Sequence, residues 1–164
     1  MNNKGFTAIE LIIVLGISLI IFTLGWSGTS LIRTMISQSR IQDLHHMMGY
    51  AGRNARSAQH GSAWGVYIPY DDVSRKASEV IIFSGDSYAT RNPDYDLSVL
   101  FSEDVKFVNV SLSGAIPSSG DDHEIVFSSL SGDTSQYGSI ILEYMNKQEL
   151  LEISKSGIPI LETL

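Results

Sequence analysis

The stretch Gly5–Trp26, G-F-T-A-I-E-L-I-I-V-L-G-I-S-L-I-I-F-T-L-G-W, limits what this chain can become more than any other. From Phe6 to Trp26 the only ionisable residue is Glu10, and proline is absent. As a helix rising about 1.5 Å per residue, the run would be about 31 Å long. That is enough to cross a hydrocarbon core about 30 Å thick. A carboxylate inside such a span is costly and needs a reason. Three readings compete for Glu10: an ordinary anchor with its carboxylate at headgroup level, a secretory signal peptide, or a helix whose carboxylate finds a partner inside an assembly. The signal-peptide reading fits least. The run exceeds an apolar region of about 7–15 residues, and nothing after Trp26 gives a clean small-x-small cleavage site at the right distance.

After the run the chain changes character. Leu31, Ile32, Met35, Ile36, Ile41, Leu44, Met47, Met48, Ala51, Ala55 and Ala58 recur at spacings of three, four and seven. Arg33, Ser37, Arg40, Asp43 and Arg53 fall between them, the pattern of an amphipathic helix over 30–58. No proline interrupts 6–58, so one long helix is expected, apolar all round in its first half and striped in its second. Gly61 is a plausible end for it.

Beyond residue 58 the period shortens. Strands are expected at 63–68, 79–83, 105–112, 124–127, 139–144, 149–153 and 158–161, with Tyr88-Ala89-Thr90 as a return strand to 79–83. Loops are expected at 69–72, 92–96, 113–122 and 131–136, and a hairpin turn at Asn146-Lys147-Gln148. The fold class is therefore α+β, with the second half of the long helix laid against an antiparallel sheet. Four parts are expected: 1–5, 6–29, 30–58 and a β-rich head over 59–164.

Charge divides along the same line. Residues 59–164 hold 6 basic and 16 acidic residues, a net of −10, within a chain of net −7. Nucleic-acid affinity rests on neutralising phosphates, so such a head disfavours that partner. Cysteine is absent, which excludes disulfides, Cys-ligated zinc and thiol nucleophiles.

The N-terminal residues carry a family resemblance. Lys4-Gly5-Phe6-Thr7-Ala8-Ile9-Glu10-Leu11, leading into the apolar run, resembles the class III signal of the type IV pilin and pseudopilin superfamily. The resemblance implies a leader, residues 1–5, cut after Gly5 on the cytoplasmic side by a prepilin peptidase. It also implies N-methylation of Phe6, with Glu10 as the fifth mature residue. In a filament core Glu10 would then pair with the Phe6 amine of a neighbouring subunit, a pairing that acts as a register check because an unpaired buried charge is strongly unfavourable. Further along, Arg53, Ala55, Arg56, Ala58 and Gly61, then Ile125-Val126-Phe127 before Gly132, then Gly138–Leu142 and Leu151–Ile158, resemble the GspH/FimT-type minor pseudopilins and minor pilins. The absence of cysteine departs from the many pilins that staple the C-terminal region.

The function so implied is structural: a minor pseudopilin or pilin, building or priming a type II secretion pseudopilus or a type IV pilus. The implied partners are other pilins, the prepilin peptidase, and a platform membrane protein with a cytoplasmic ATPase. The implied location is the bacterial inner membrane, single-pass, with the N-terminus cytoplasmic and the head in the periplasm or outside. An uncut bitopic membrane protein with a periplasmic binding head is the alternative, and leader cleavage separates the two.

Other chemistry finds little support. His123 lies beside Asp122 and Glu124, but no G-x-S-x-G elbow accompanies the many serines. His45 and His46 are adjacent, so on a helix they point about 100° apart and do not share a face as i,i+4 ligands do. No enzyme and no cofactor is expected. Calcium is the one ion with a candidate pair, the D-x-D spacing of Asp94 and Asp96, which is common by chance. Trp64, Tyr67, Tyr70, Tyr88 and Tyr95 are expected as core and strand residues rather than as a recognition platform.

Overall fold

The computed structural model describes residues 7–71, 73–101, 104–114 and 123–164. The chain falls into two compact units, Met1–Ile36 and Ser37–Leu164. Helical backbone is assigned over Ala8–Arg56 (α1). Its side chains are described chiefly in two stretches, 8–23 and 34–56.

In the first unit every described side chain from 7 to 23 is exposed. Among the described residues no helix is long and apolar enough to cross a membrane.

Among the described residues, the second unit is built from α1 residues and ten strands. These are β1 (Trp64–Ile68), β2 (Tyr70–Asp71), β3 (Lys76–Ala77), β4 (Glu79–Ser84), β5 (Asn92–Leu100), β6 (Lys106–Ser113), β7 (His123–Phe127), β8 (Tyr137–Tyr144), β9 (Lys147–Ile153) and β10 (Pro159–Thr163). They form two four-stranded antiparallel sheets, ordered β5-β4-β1-β7 and β10-β9-β8-β6, and a small β2-β3 ribbon.

The expected fold class is corrected on two points. No membrane-spanning half is found among the described residues, and the strands make two sheets where one was expected. The split arises because β5 and β6, successive in the chain, pair with different partners: β5 with β4, β6 with β8. Hydrophobic alternation identifies a strand but not its neighbour.

One core joins the helix to both sheets. Ile41, Leu44, Met48, Ala51 and Ala55 are fully buried, at the spacings of the apolar stripe. They meet Trp64, Val66 and Ile68 of β1, Ile125 and Phe127 of β7, Ile140 and Leu142 of β8, and Leu151 of β9 in a single cluster. The first sheet is also covered on its other face. Ile81 and Phe83, which alternate with the core residues Val80 and Ile82, are 8% and 0% exposed. Phe83 meets Tyr88, ring centroids 5.7 Å apart, in the turn after β4, where Tyr88–Thr90 forms a short 3-10 segment rather than the expected return strand. β4 pairs with β1 on one side and with β5 on the other, and β5 absorbs residues 92–96 expected as loop.

Candidate functional site

The N-terminal site begins at a helix start. Thr7 precedes α1, and the Glu10 carboxylate accepts hydrogen bonds from the Thr7 backbone N–H and hydroxyl, each at 2.8 Å. In the other direction, Glu10 N–H reaches the Thr7 hydroxyl at 3.4 Å. Thr7-x-x-Glu10 is thus a capping box, in which both residues satisfy donors that the first helical turn leaves without partners. Sequence reasoning assigns Glu10 a role in assembly only; the T-x-x-E spacing is the clue to this local one. Around it Ile9, Leu11, Ile12 and Ile13 are 54–67% exposed, so a carboxylate sits in an apolar sleeve. Gly5 and Phe6, the expected cleavage and methylation positions, lie outside the described residues.

In the second unit, the segments that carry the subgroup resemblance converge on the last turn of α1. Leu130 N–H donates to Ala55 O at 2.8 Å, and the Arg56 guanidinium donates to Ser156 O at 2.7 Å. Thr134 N–H donates to Lys155 O at 2.9 Å. At Gly157, whose φ is +69°, a side chain would overlap Gly132 O, so this meeting of loops admits glycine alone without rearrangement. Gln136, 4% exposed, accepts from Val126 N–H at 3.0 Å and donates to Gly114 O at 3.4 Å. It ties β7 of one sheet to the end of β6 in the other.

The outer face of the first sheet holds a stack of aromatic and charged groups. The Tyr67 and Tyr88 rings lie 3.6 Å apart at 2°. Arg91 covers Tyr88 at 3.7 Å and donates to Asp96 at 2.7 Å. Burial opposes the charge on Arg91, but the bond to Asp96 and the charge of that carboxylate outweigh it and hold the guanidinium above its ordinary range. Glu124, 4% exposed, accepts from Tyr88 N–H at 2.9 Å.

This arrangement relocates several sequence candidates. Asp96 is bound to Arg91, while Asp94 is exposed, its N–H on the Asn92 side chain. No group of three or more His, Cys, Asp or Glu side chains able to hold a metal occurs among the described residues. His123 and Glu124 are successive strand residues and so face opposite sides of their sheet, and Asp122 lies outside the described residues. His45 reaches Pro159 O at 3.3 Å, while its neighbour His46 lines a cleft with Arg40, Arg53 and Tyr50 over a floor of Met47, Ile82 and Leu97. The two rings lie 5.6 Å apart at 54°, yet each meets a different part of the protein.

A second cleft, of about 400 Å³, opens where the chain leaves α1. His60 and Tyr95 line it, their rings stacked at 3.9 Å and 15°. Sequence reasoning assigns His60 no role, and nothing in its local pattern marks it, because Tyr95 arrives from β5.

Comparison with protein-family models, with curated proteins and with solved structures gives no match for this chain.

Proposed function

We propose that this chain is a minor pilin or pseudopilin, a structural or priming subunit of a thin helical filament belonging to a type II secretion pseudopilus or a type IV pilus. The observation that carries the reading is the apolar sleeve over 8–23. All its described side chains are exposed, and its one carboxylate lies five residues after the glycine of a Lys4-Gly5-Phe6 start. A run of side chains of this character needs to be covered, and packing against the same segment of neighbouring subunits covers it. Repeated by a heterologous, non-closing contact, that packing generates a filament.

In this reading a prepilin peptidase cuts after Gly5 and Phe6 is N-methylated. The Phe6 amine, with an ordinary pKa near 8, is then the cationic partner of Glu10 on an adjacent subunit. Before assembly the protein is held at the bacterial inner membrane with its N-terminus cytoplasmic and its head outside. Assembly draws on a platform membrane protein and its cytoplasmic ATPase. The acidic head, net −10, coats the filament and faces other proteins. No catalytic step is assigned to it.

The test is the N-terminal mass of the protein isolated from its native membrane. A chain that begins at a methylated Phe6 is expected. An intact Met1 start would overturn the reading in favour of an uncut anchor with a binding head.

A further inference from the structure

We propose that the cleft beside His60 and Tyr95 is a binding site for a neutral saccharide unit. The proposal stands apart from the filament reading and survives or fails independently of it.

The cleft is built, not incidental. After α1 the chain turns through three left-handed positions: Ala58 at φ +48°, His60 at +60° and Gly61 at +68°. A non-glycine residue held there carries backbone strain, and such strain is concentrated where a side chain must be aimed. Trp64 pins the turn, its indole N–H donating to Gln59 O at 3.0 Å. The imidazole of His60 is thereby placed flat on Tyr95, with Trp64 on its flank at 5.9 Å. Stacking engages the face of an imidazole, and its two nitrogens stay at the ring edge.

The remaining wall is neutral and rich in hydroxyl and amide groups. Ser62 and Ser84 share one hydrogen bond at 2.6 Å, which uses one hydroxyl proton of the two. Thr90 contributes another hydroxyl, 2.7 Å from Ser87. Asn92 accepts from Asp94 N–H through Oδ1, a bond that leaves its amide N–H groups unused. Among the described residues no carboxylate, lysine or arginine lines the cleft.

These features select among ligands. A metal ion wants carboxylates, which this wall lacks. A phosphate or nucleotide wants cationic partners, and it would have to enter a head of net −10. A peptide strand wants apolar pockets for its alternate side chains, which this wall of hydroxyl and amide groups does not offer, although β5 stands at a sheet edge. A sugar presents an apolar C–H face and a rim of hydroxyls that both donate and accept. That matches an aromatic wall joined to Ser, Thr, Asn and His groups. The volume, about 400 Å³, lies within the range of small-molecule sites.

The experiment uses the full chain in a zwitterionic, sugar-free detergent, with D-glucose, N-acetylglucosamine and cellobiose as probes and inorganic sulfate as the anionic control. Saturation-transfer NMR reads sugar contact, and titration gives the affinity. Saturable binding of at least one sugar is expected, with none of sulfate. Tyr95→Ala should weaken it about tenfold, as expected when a stacking partner worth about 1.4 kcal/mol is lost. Tyr95→Phe, which keeps the ring, should stay within about twofold of the parent. Asn92→Ala, an exposed change remote from the core, should weaken binding in the same direction, and it keeps the test decisive should Tyr95→Ala fail to fold. Failure of all three sugars to bind would overturn the proposal, as would binding that is indifferent to Tyr95→Ala or Asn92→Ala, or sulfate binding in their place.

Discussion

Phe83 lies across Gly65, its direct cross-strand neighbour on β4, on the sheet face turned away from the α1 cluster. A Cβ built on Gly65 would stand 2.7 Å and 2.9 Å from the two Cε atoms of that ring, well inside contact distance. The glycine is therefore required by the ring above it, and the ring is fully buried because the glycine admits it. Gly65→Ala should lower stability by about 1–3 kcal/mol through overpacking, read as a fall in the urea midpoint. Phe83→Ala should cost about 3–5 kcal/mol on its own. The double variant should cost less than the sum, because the methyl no longer meets a ring. Simple additivity would show that the two positions do not interact.

Tyr144, 3% exposed, donates to the Glu149 carboxylate at 3.1 Å, and Glu149 is itself 5% exposed. Burial, reinforced by the bond and charge of Glu149, pushes the Tyr144 hydroxyl above its ordinary value. A group raised in the folded state is stable in its protonated form. Its contribution is complete below the unfolded-state value, about 10 for tyrosine, and is lost as pH rises toward the folded-state value. Urea stability should hold steady to about pH 9.5 and then fall. Tyr144→Phe should cost about 1–3 kcal/mol at neutral pH by leaving a buried acceptor without its donor. It should also flatten the alkaline fall; an equal fall in the variant would place the titration elsewhere.

The turn between β8 and β9 is tighter than the sequence suggests. Tyr144 pairs with Lys147, so the loop is Met145-Asn146 alone, at φ +45° and +62°. Both positions are left-handed, the geometry of a two-residue type I′ turn. Asn tolerates it well; Met does not. Met145→Asn should raise stability by about 0.4–1 kcal/mol, measured as an increase in melting temperature. A decrease would show that the methionine side chain contributes more than its backbone strain costs.

That turn shows where sequence reading succeeds and where it stops. Alternation places β1, β4, β6, β7, β8 and β9 to within a few residues, because one face of each strand is buried and the pattern tracks burial. The apolar stripe names Ile41, Leu44, Met47, Met48, Ala51 and Ala55 for the same reason. It puts the β8–β9 turn one or two residues late, since Lys147 and Gln148 are polar in strand and turn alike. Asn92-Pro93-Asp94-Tyr95-Asp96 reads as loop, because β5 is an edge strand that tolerates proline and exposed polar residues. Tyr88 looks like a strand residue, yet it caps the outer face of a sheet through Tyr67, Arg91 and Glu124. Two of those partners are distant in sequence. The division into two sheets is hidden too, for pairing is a long-range choice that local periodicity does not record. The His60–Tyr95 cleft is hidden on the same ground.

Glu10 has a local role and a proposed intermolecular one, and substitution can separate them. As a capping partner it needs only an acceptor for the Thr7 N–H and hydroxyl, which glutamine also supplies. As the partner of a cationic Phe6 amine it needs negative charge, which glutamine lacks. Glu10→Ala removes both roles, and Glu10→Gln removes the second alone. If the carboxylate acts as a charge in the assembly, both variants should be cut after Gly5 and both should fail to enter filaments, at least about tenfold down in sheared-filament fractions, the loss expected when about 1.4 kcal/mol of pairing is removed. Thr7→Ala, which weakens the cap but keeps the charge, should assemble nearly as the parent does. The opposite ranking, with Glu10→Gln assembling normally and Thr7→Ala failing, would show that helix capping is what this carboxylate supplies and would withdraw the pairing with Phe6.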